Sequence, residues 1–385
     1  KKETLVKYIL SLLHLWIGLS SSVVVFIVCL SGCLYVFKNQ IENYVYSDHI
    51  QTNASGKSVN LESAVCHFKR NFGRPTQLYV SENRKESIQI SSRNNRNLGT
   101  HAYYHPESGE FLGKQSTSSR KFFSVVLEIH QSLLLGKTGK TLVGIFVLFF
   151  VYLLVSGIVM WFPKRKSDFK KSISINFRAK KSRVNYDLHR VLGLYSFIVL
   201  LLISISGLYF SFHWVKQLTI SAFGGPSIHI NNDQIGKNEM SKEISASYNE
   251  LFDDLIEAEE KPKDTIGLNA IYNTVQVQYK HKGRINISVP ITEKAPYLFR
   301  LYGVDWTHTS CFDAVSLNQA GELKEYTPFR SLPTYRKVMM VMTPLHTGEI
   351  FGLATIIFYF IISLIGCSLP ITGFLIWFKK AKKMR

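Results

Sequence analysis

The chain has 385 residues, 46% of them hydrophobic, and a net charge of +19. The apolar residues gather in long runs, which excludes an ordinary soluble domain. The charge does not point to nucleic acid: 17 basic residues against two acids fall in the segments 1–7, 163–185 and 379–385, and the rest holds 29 basic and 25 acidic residues.

Lys1, Lys2 and Lys7 lead into an apolar run, Tyr8–Phe37. At about 1.5 Å per residue it can cross a hydrocarbon core of about 30 Å. It is long for a signal peptide and no small-residue cleavage site follows, so residues 1–37 are expected to be a cytoplasmic N-terminus and an uncleaved first span. The span carries His14, Gly18 and the step LSGCLYVF (30–37). Residues 38–126 predict a small α+β domain outside the membrane. It has a helix near Leu61–Asn71, a strand in SIQIS, and a hairpin in YYHPESGEFLG (103–113) turning at Gly109. Residues 127–162 form a lead-in helix with His130 and Gly136, then a second span, Leu142–Phe162, ending in VSGIVMWF. GKTGK (136–140) lacks the full spacing of a phosphate loop.

The loop 163–185 holds nine Lys or Arg and one acid. The third span, 186–214, opens on His189, Arg190 and Gly193 and contains ISGLYFSF (205–212). Residues 215–343 predict a second α+β domain, with a helix over Lys242–Glu260, a strand in TVQVQYK and a hairpin in AVSLNQAGELKEY turning at Gly321. Residues 344–385 hold His346, Gly352, a fourth span over Phe351–Phe378 with ITGFLIWF, and a basic tail. Basic segments beside span ends mark the cytoplasmic side. Both termini and the 163–185 loop are therefore expected inside, and the two α+β domains in the periplasm or its equivalent.

The spans repeat. Each contains an apolar residue, Ser or Thr, then Gly, and an aromatic-rich finish. His14 precedes Gly32 by 18 residues, as His189 precedes Gly207; His130 precedes Gly157 by 27, as His346 precedes Gly373. Gly18 and Gly193 follow their histidines by four residues, and Gly136 and Gly352 follow theirs by six. The expected fold is a mainly α membrane protein, a four-helix bundle built from two tandem pseudo-repeats about an axis along the membrane normal. The small-residue steps are read as points of close helix approach.

Histidines inside spans are costly and face a bundle interior or a cavity. A pseudo-twofold axis would bring His14 and His189 face to face, which suits haem with two axial imidazoles. Gly18 and Gly193 would leave room beside the macrocycle, and Arg190 would pair with a propionate. A structural role or a lone metal ion is the alternative; zinc would want more ligands than the sequence clusters. The same symmetry pairs His130 with His346, with Gly136 and Gly352 alongside. A straight helix would hold this outer pair roughly 35–40 Å from the inner one, unless the chain bends at Gly136 or Gly139. His213 competes as an outer ligand, but its repeat position in span 1 is Lys38. The remaining seven histidines fall in the outer domains, where HAYYH (101–105) could touch a substrate. Apart from the histidines, the spans are read as free of paired acids and buried charge. Cys29, Cys33 and Cys367 are read as packing residues, and a Cys66–Cys311 disulfide as permitted.

The stretches YDLHRVLGLYSFIVLLLISISGLYF (186–210), EIHQSLLLGKTGKTLVGIFVLFFVYLLVSGIVMWF (128–162) and PLHTGEIFGLATIIF (344–358) resemble the PepSY-associated transmembrane proteins, often described as iron-regulated membrane proteins. The resemblance implies a bacterial inner-membrane protein with four spans and PepSY-like periplasmic domains. Some members resemble haem-containing reductases of ferric siderophores. It implies His14, His130, His189 and His346 as haem ligands, for two haem b groups. The expected function is a transmembrane electron conduit, fed by a quinol or a separate protein, that reduces a ferric siderophore or other ferric complex. Two alternatives stay open: a membrane-anchored PepSY binding or regulatory module without redox activity, and a transporter.

Overall fold

The computed structural model describes residues 2–92, 99–163, 165–226, 266–290, 295–303 and 311–384. The helix expected over Lys242–Glu260, and His229 and His308, lie outside the described residues. The chain begins with α1 (Lys2–Tyr35), α2 (Lys38–Val45), α3 (Ser47–Ile50) and α4 (Leu61–Phe72). Strands β1 (Gln77–Val80), β2 (Ile88–Ser91), β3 (His101–Tyr104) and β4 (Phe111–Lys114) follow, then α5 (Thr117–Ser132), α6 (Gly136–Trp161) and α7 (Phe169–Ser172). Next come α8 (Lys181–Ser211), α9 (His213–Ala222) and α10 (Leu268–Tyr279). Strands β5 (Ile285–Ser288), β6 (Tyr297–Tyr302), β7 (Phe312–Leu317) and β8 (Leu323–Thr327) precede α11 (Thr334–Thr347) and α12 (Leu353–Met384).

These elements make two units. A helical unit takes residues 1–38, 123–219 and 345–385; a sheet unit takes 39–122 and 220–344. In the helical unit, α1, α6, α8 and α12 are each long and apolar enough to cross a membrane. No more than 33% of any of their apolar windows is buried within the protein, so the remaining apolar surface needs a lipid solvent. Helix α1 packs on α6 and α12, and α8 packs on the same two. The four thus close into a ring with α1 and α8 on opposite corners. Val25, Phe150, Leu154, Leu200, Ile362 and Leu369 fill its centre.

Helix α5 does not run straight into α6. Leu133, Leu134 and Gly136 take positive φ (51°, 63° and 57°), which breaks the helix between them. A Cβ on Gly139 would stand 1.8 Å from the Ser132 carbonyl oxygen, so only glycine allows α6 to start so close to the end of α5. Helix α5 accordingly lies against the end of α1, with Phe123 packed edge-on to Tyr35 at 6.5 Å. A matching break separates α11 from α12, where Gly348 and Gly352 have φ of 77° and 73°.

The sheet unit departs from the expectation of two separate modules. Its eight strands form one antiparallel sheet in the order β4-β3-β2-β1-β5-β6-β7-β8. Each chain segment supplies a four-stranded meander, and the two join where β1 pairs with β5, Leu78 opposite Ile287. Helices α4 and α10 cover one face, burying Phe68, Ile271 and Val275 against Leu78, Ile90, Ile287, Phe299 and Val315. The hairpins turn at Gly109 and Gly321, both at positive φ. TVQVQYK is not a strand but the end of α10. Leu268, Ile271, Tyr272 and Val275 sit at helical spacing on the buried side, while Val277 is 76% exposed. The short alternation of Val275 and Val277 is thus incidental, and the longer helical period decides. Cys66 and Cys311 form no disulfide.

Candidate functional site

The serine or threonine and the glycine of each repeated step do more than let helices approach. Each step receives one of the four histidines. A Cβ added to Gly32 would lie 3.1 Å from His130 Cε1, and one on Gly207 would lie 3.2 Å from His346 Cε1. The corresponding distance is 3.3 Å from Gly373 to His189 and 3.5 Å from Gly157 to His14. The glycines are therefore seats on which the imidazoles rest.

The residue before each glycine helps fix the ring. His14 Nδ1 lies 2.8 Å from Ser156 Oγ, and His189 Nδ1 lies 2.8 Å from Thr372 Oγ1. Both hydroxyls already donate to carbonyls of their own helices, Ser156 to Leu153 and Thr372 to Ser368. The imidazole N–H is then the donor. The outer histidines reach backbone: His130 Nδ1 donates to the Val28 carbonyl at 2.9 Å and His346 Nδ1 to the Ile203 carbonyl at 3.0 Å. Ser31 and Ser206 stand by at 3.4 and 3.1 Å. A carbonyl only accepts, so Nδ1 carries the proton in both. All four rings therefore present a lone pair at Nε2, and none of these Nε2 atoms is hydrogen-bonded to a described residue. An imidazole with Nδ1–H held and Nε2 bare is oriented as a metal ligand.

The four rings form two pairs. His130 and His346 stand with ring centroids 6.0 Å apart and planes inclined by 55°, with Phe210 edge-on to His346 at 5.8 Å. A metal bound by two imidazoles at about 2 Å each, plus half a ring on either side, spans roughly the same distance. His14 and His189 stand at equivalent positions on α1 and α8, the opposite corners of the ring. Along α1, His14 and Val28 are 14 residues apart, as are His189 and Ile203 along α8. The level at which α1 holds His130 is therefore about 21 Å from His14 along the axis, not the roughly 35–40 Å expected of a straight helix. The break between α5 and α6 removes the difference.

The glycines beside the histidines have other surroundings. Gly18 and Gly193 face Leu153 and Leu369, where a Cβ would make ordinary contacts of 3.7 and 3.8 Å. Gly136 and Gly352 are turn residues at positive φ with nothing within 4 Å of a Cβ. His213 begins α9 beyond the break at Phe212, is exposed, and takes no part in the outer pair as built from His130 and His346. In HAYYH, His101 bonds Gln89 and His105 bonds Asn53, each at 3.1 Å.

One buried charge went unseen in the sequence. Asp187 is 1% exposed at the start of the third span. Arg183 Nε and Arg190 Nη2 hold its carboxylate at 3.2 and 3.3 Å. The spans are thus not free of buried acids: two arginines at helical spacing of four and three compensate this one. Arg190 also donates to the Lys171 carbonyl of the basic loop, and its Nε–H is buried without a partner among the described residues. Asn185, one turn before His189, donates to the Thr372 carbonyl at 3.0 Å and ties this cluster to the inner histidine. The first repeat has Leu12 and Leu15 at the positions of Asp187 and Arg190, so the polar rim is one-sided.

Among the described residues there is no group of three or more His, Cys, Asp or Glu arranged to hold a metal ion. Zinc-type sites need such a group; two facing imidazoles do not make one. No curated protein matches the chain. The family model of the PepSY-associated TM region matches residues 11–380. This match spans the four apolar helices, all four histidines and the sheet between them, and the chain belongs to that family of membrane proteins.

Proposed function

We propose that the protein is a di-haem transmembrane electron conduit that reduces ferric iron, as a ferric siderophore or similar chelate, on the outer side of a bacterial inner membrane. The observation that carries this reading is the set of four imidazoles, each with Nδ1–H anchored and Nε2 bare, grouped as two pairs at two levels of one bundle. Haem b, bound at His14 with His189 and at His130 with His346, would supply one-electron chemistry between ferric and ferrous iron.

The chain's own residues give that chemistry its place. Ser156, Thr372 and the carbonyls of Val28 and Ile203 hold the rings against rotation and raise the basicity of Nε2. Gly32, Gly157, Gly207 and Gly373 let the rings lie against helix backbone. The apolar ring of α1, α6, α8 and α12 keeps water from the centre. Arg190, with one N–H left over, is suited to an anionic group at the cytoplasmic rim. The basic loop and tail set the orientation, with both termini inside and the sheet unit outside. The two pseudo-repeats account for the paired sites, and the sheet unit is read as two PepSY-like halves sharing one sheet. Ferrous iron binds hard oxygen ligands less tightly than ferric iron, so reduction releases the metal from its chelate.

The direct test of function is reoxidation. Protein reduced by dithionite under anaerobic conditions is mixed with ferric hydroxamate, ferric catecholate or ferric citrate. Rapid reoxidation with stoichiometric ferrous iron, trapped by ferrozine, supports the reading. A reduced protein that none of the three oxidises has another acceptor.

A further inference from the structure

The basic loop between α6 and α8 is clamped to the spans. Its short helix α7 ends in three consecutive carbonyls, and each receives a donor from a span. Arg190 Nη2 donates to the carbonyl of Lys171, Trp161 Nε1 to that of Ser172 at 3.1 Å, and the Tyr195 hydroxyl to that of Ile173 at 3.3 Å. The last carbonyls of a helix have no partner within it, so water or side chains must supply one. Here Trp161 comes from the end of α6, and Arg190 and Tyr195 come from α8. Phe169 packs edge-on to Trp161 at 5.8 Å, and Ser172 is 4% exposed. The clamp sets the depth of the loop. Helix α8 starts at Lys181, nine residues before Arg190, which is about 14 Å along the axis. Helix α7 packs on α8 within side-chain reach of Arg190 and Tyr195, alongside that helix rather than beyond its start. This is where α6 ends on a tryptophan and its apolar run gives way, the depth of the lipid headgroups.

We propose that α7 and its flanks form an interfacial anchor for anionic phospholipid headgroups. Segment 163–185 carries nine Lys or Arg and one acid. Lys170, Lys171 and Arg178 are exposed, beside the rings of Phe169 and Phe177, which are 50% and 73% exposed. Basic side chains with bare aromatic rings suit a boundary that is anionic on one side and apolar on the other. An acidic protein in water would use the charges and have no need of the rings. The clamp makes the anchor more than a diffuse attraction, since charges fixed beside α8 meet lipid phosphates without the loop having to be ordered first. Because Arg190 follows His189 directly, the bound lipid braces the rim of the inner histidine pair. The site stands independently of haem binding.

The test counts bound lipid. Full-length protein in a mild detergent is titrated with phosphatidylglycerol or with phosphatidylethanolamine of the same acyl chains, and retained lipid is read by native mass spectrometry. The wild type should retain phosphatidylglycerol in clear preference. Lys170→Gln combined with Lys171→Gln should cut that preference about fivefold or more, the effect of charges beside an anionic surface. Lys382→Gln combined with Lys383→Gln, in the tail, should cut it less. Tyr195→Phe, alone or with Trp161→Phe, removes clamp donors without changing charge and should lower the preference as well. Excess inorganic phosphate should leave the lipid bound. Equal retention of the two lipids by the wild type overturns the proposal and leaves the loop to an acidic soluble partner. A loss from the tail pair as large as from the loop pair, a wild-type preference in the clamp variants, or displacement by phosphate also overturns it.

Discussion

His130 donates its Nδ1–H to the carbonyl of Val28, 2.9 Å away on α1 and 102 residues earlier in the chain. His346 does the same to Ile203. Both acceptors lie one turn before the glycine on which the imidazole rests, and both lie 14 residues beyond the inner histidine of the same helix. One spacing thus serves two places: each of α1 and α8 offers a histidine at one end and a seat for another at the other.

The seats differ in tightness, and substitutions should report it. Gly32→Val sets bulk where even a Cβ would be 3.1 Å from His130 and should abolish the outer site. Gly157→Ala places a methyl 3.5 Å from His14, an ordinary contact, and should leave the inner site occupied. Haem-to-protein ratio by pyridine haemochrome reads both: half the wild-type value for the first, the wild-type value for the second.

Removing the hydroxyl that holds His189 should loosen the inner site without emptying it at once. Thr372→Val deletes the acceptor of the His189 Nδ1–H while keeping the side-chain shape. Loss of such a partner costs about 10–100-fold in metal affinity. Haem transfer to apomyoglobin should speed up accordingly, and Thr372→Ser should restore the wild-type rate. An unchanged rate in Thr372→Val would show that the hydroxyl does not position the ring.

The break before α6 should be intolerant of any side chain at Gly139. A methyl there meets the Ser132 carbonyl at 1.8 Å, and the backbone must shift to admit it. Overpacking of this kind costs about 1–3 kcal/mol. Gly139→Ala should lower the melting temperature in detergent and weaken the outer site, since His130 depends on the same break. Gly18→Ala, with 3.7 Å of room, should do neither.

In the sheet unit, Val275 and Val277 separate helix from strand. Val275 is fully buried and Val277 is 76% exposed. Val275→Asp should destabilise the unit by about 3 kcal/mol or more, as burying an unpaired charge does. Val277→Asp should be near neutral. Chemical denaturation followed by tyrosine fluorescence distinguishes the two.

These particulars also show what the residues disclose before folding. The four spans were plain because a hydrocarbon solvent demands long apolar runs and permits little else. The four histidines stood out because their spacing to glycine recurs. The serines and threonines before those glycines carried the same spacing, yet their partners were hidden, because hydrogen bonds between helices depend on which helix lies beside which. The shared sheet was hidden for a related reason: β1 and β5 pair Leu78 with Ile287, 209 residues apart, and nothing local in either strand names its partner. TVQVQYK misled because two valines in alternation are too few to outweigh a helical face that begins seven residues earlier at Leu268. Asp187 escaped because an acid in the first turn of a span, beside a basic loop, shows no sign of burial until Arg183 and Arg190 fold round it.

The central claim is that four anchored imidazoles hold two haems. Its most direct measurement is the haem-to-protein ratio, with the reduced-minus-oxidised spectrum, of detergent-purified protein from haem-replete cells, compared with His14→Ala and His130→Ala. The account predicts two haem b per wild-type chain and one in each variant, with the two variants differing in midpoint potential. A colourless wild-type protein, or a ratio unchanged by both substitutions, would contradict it.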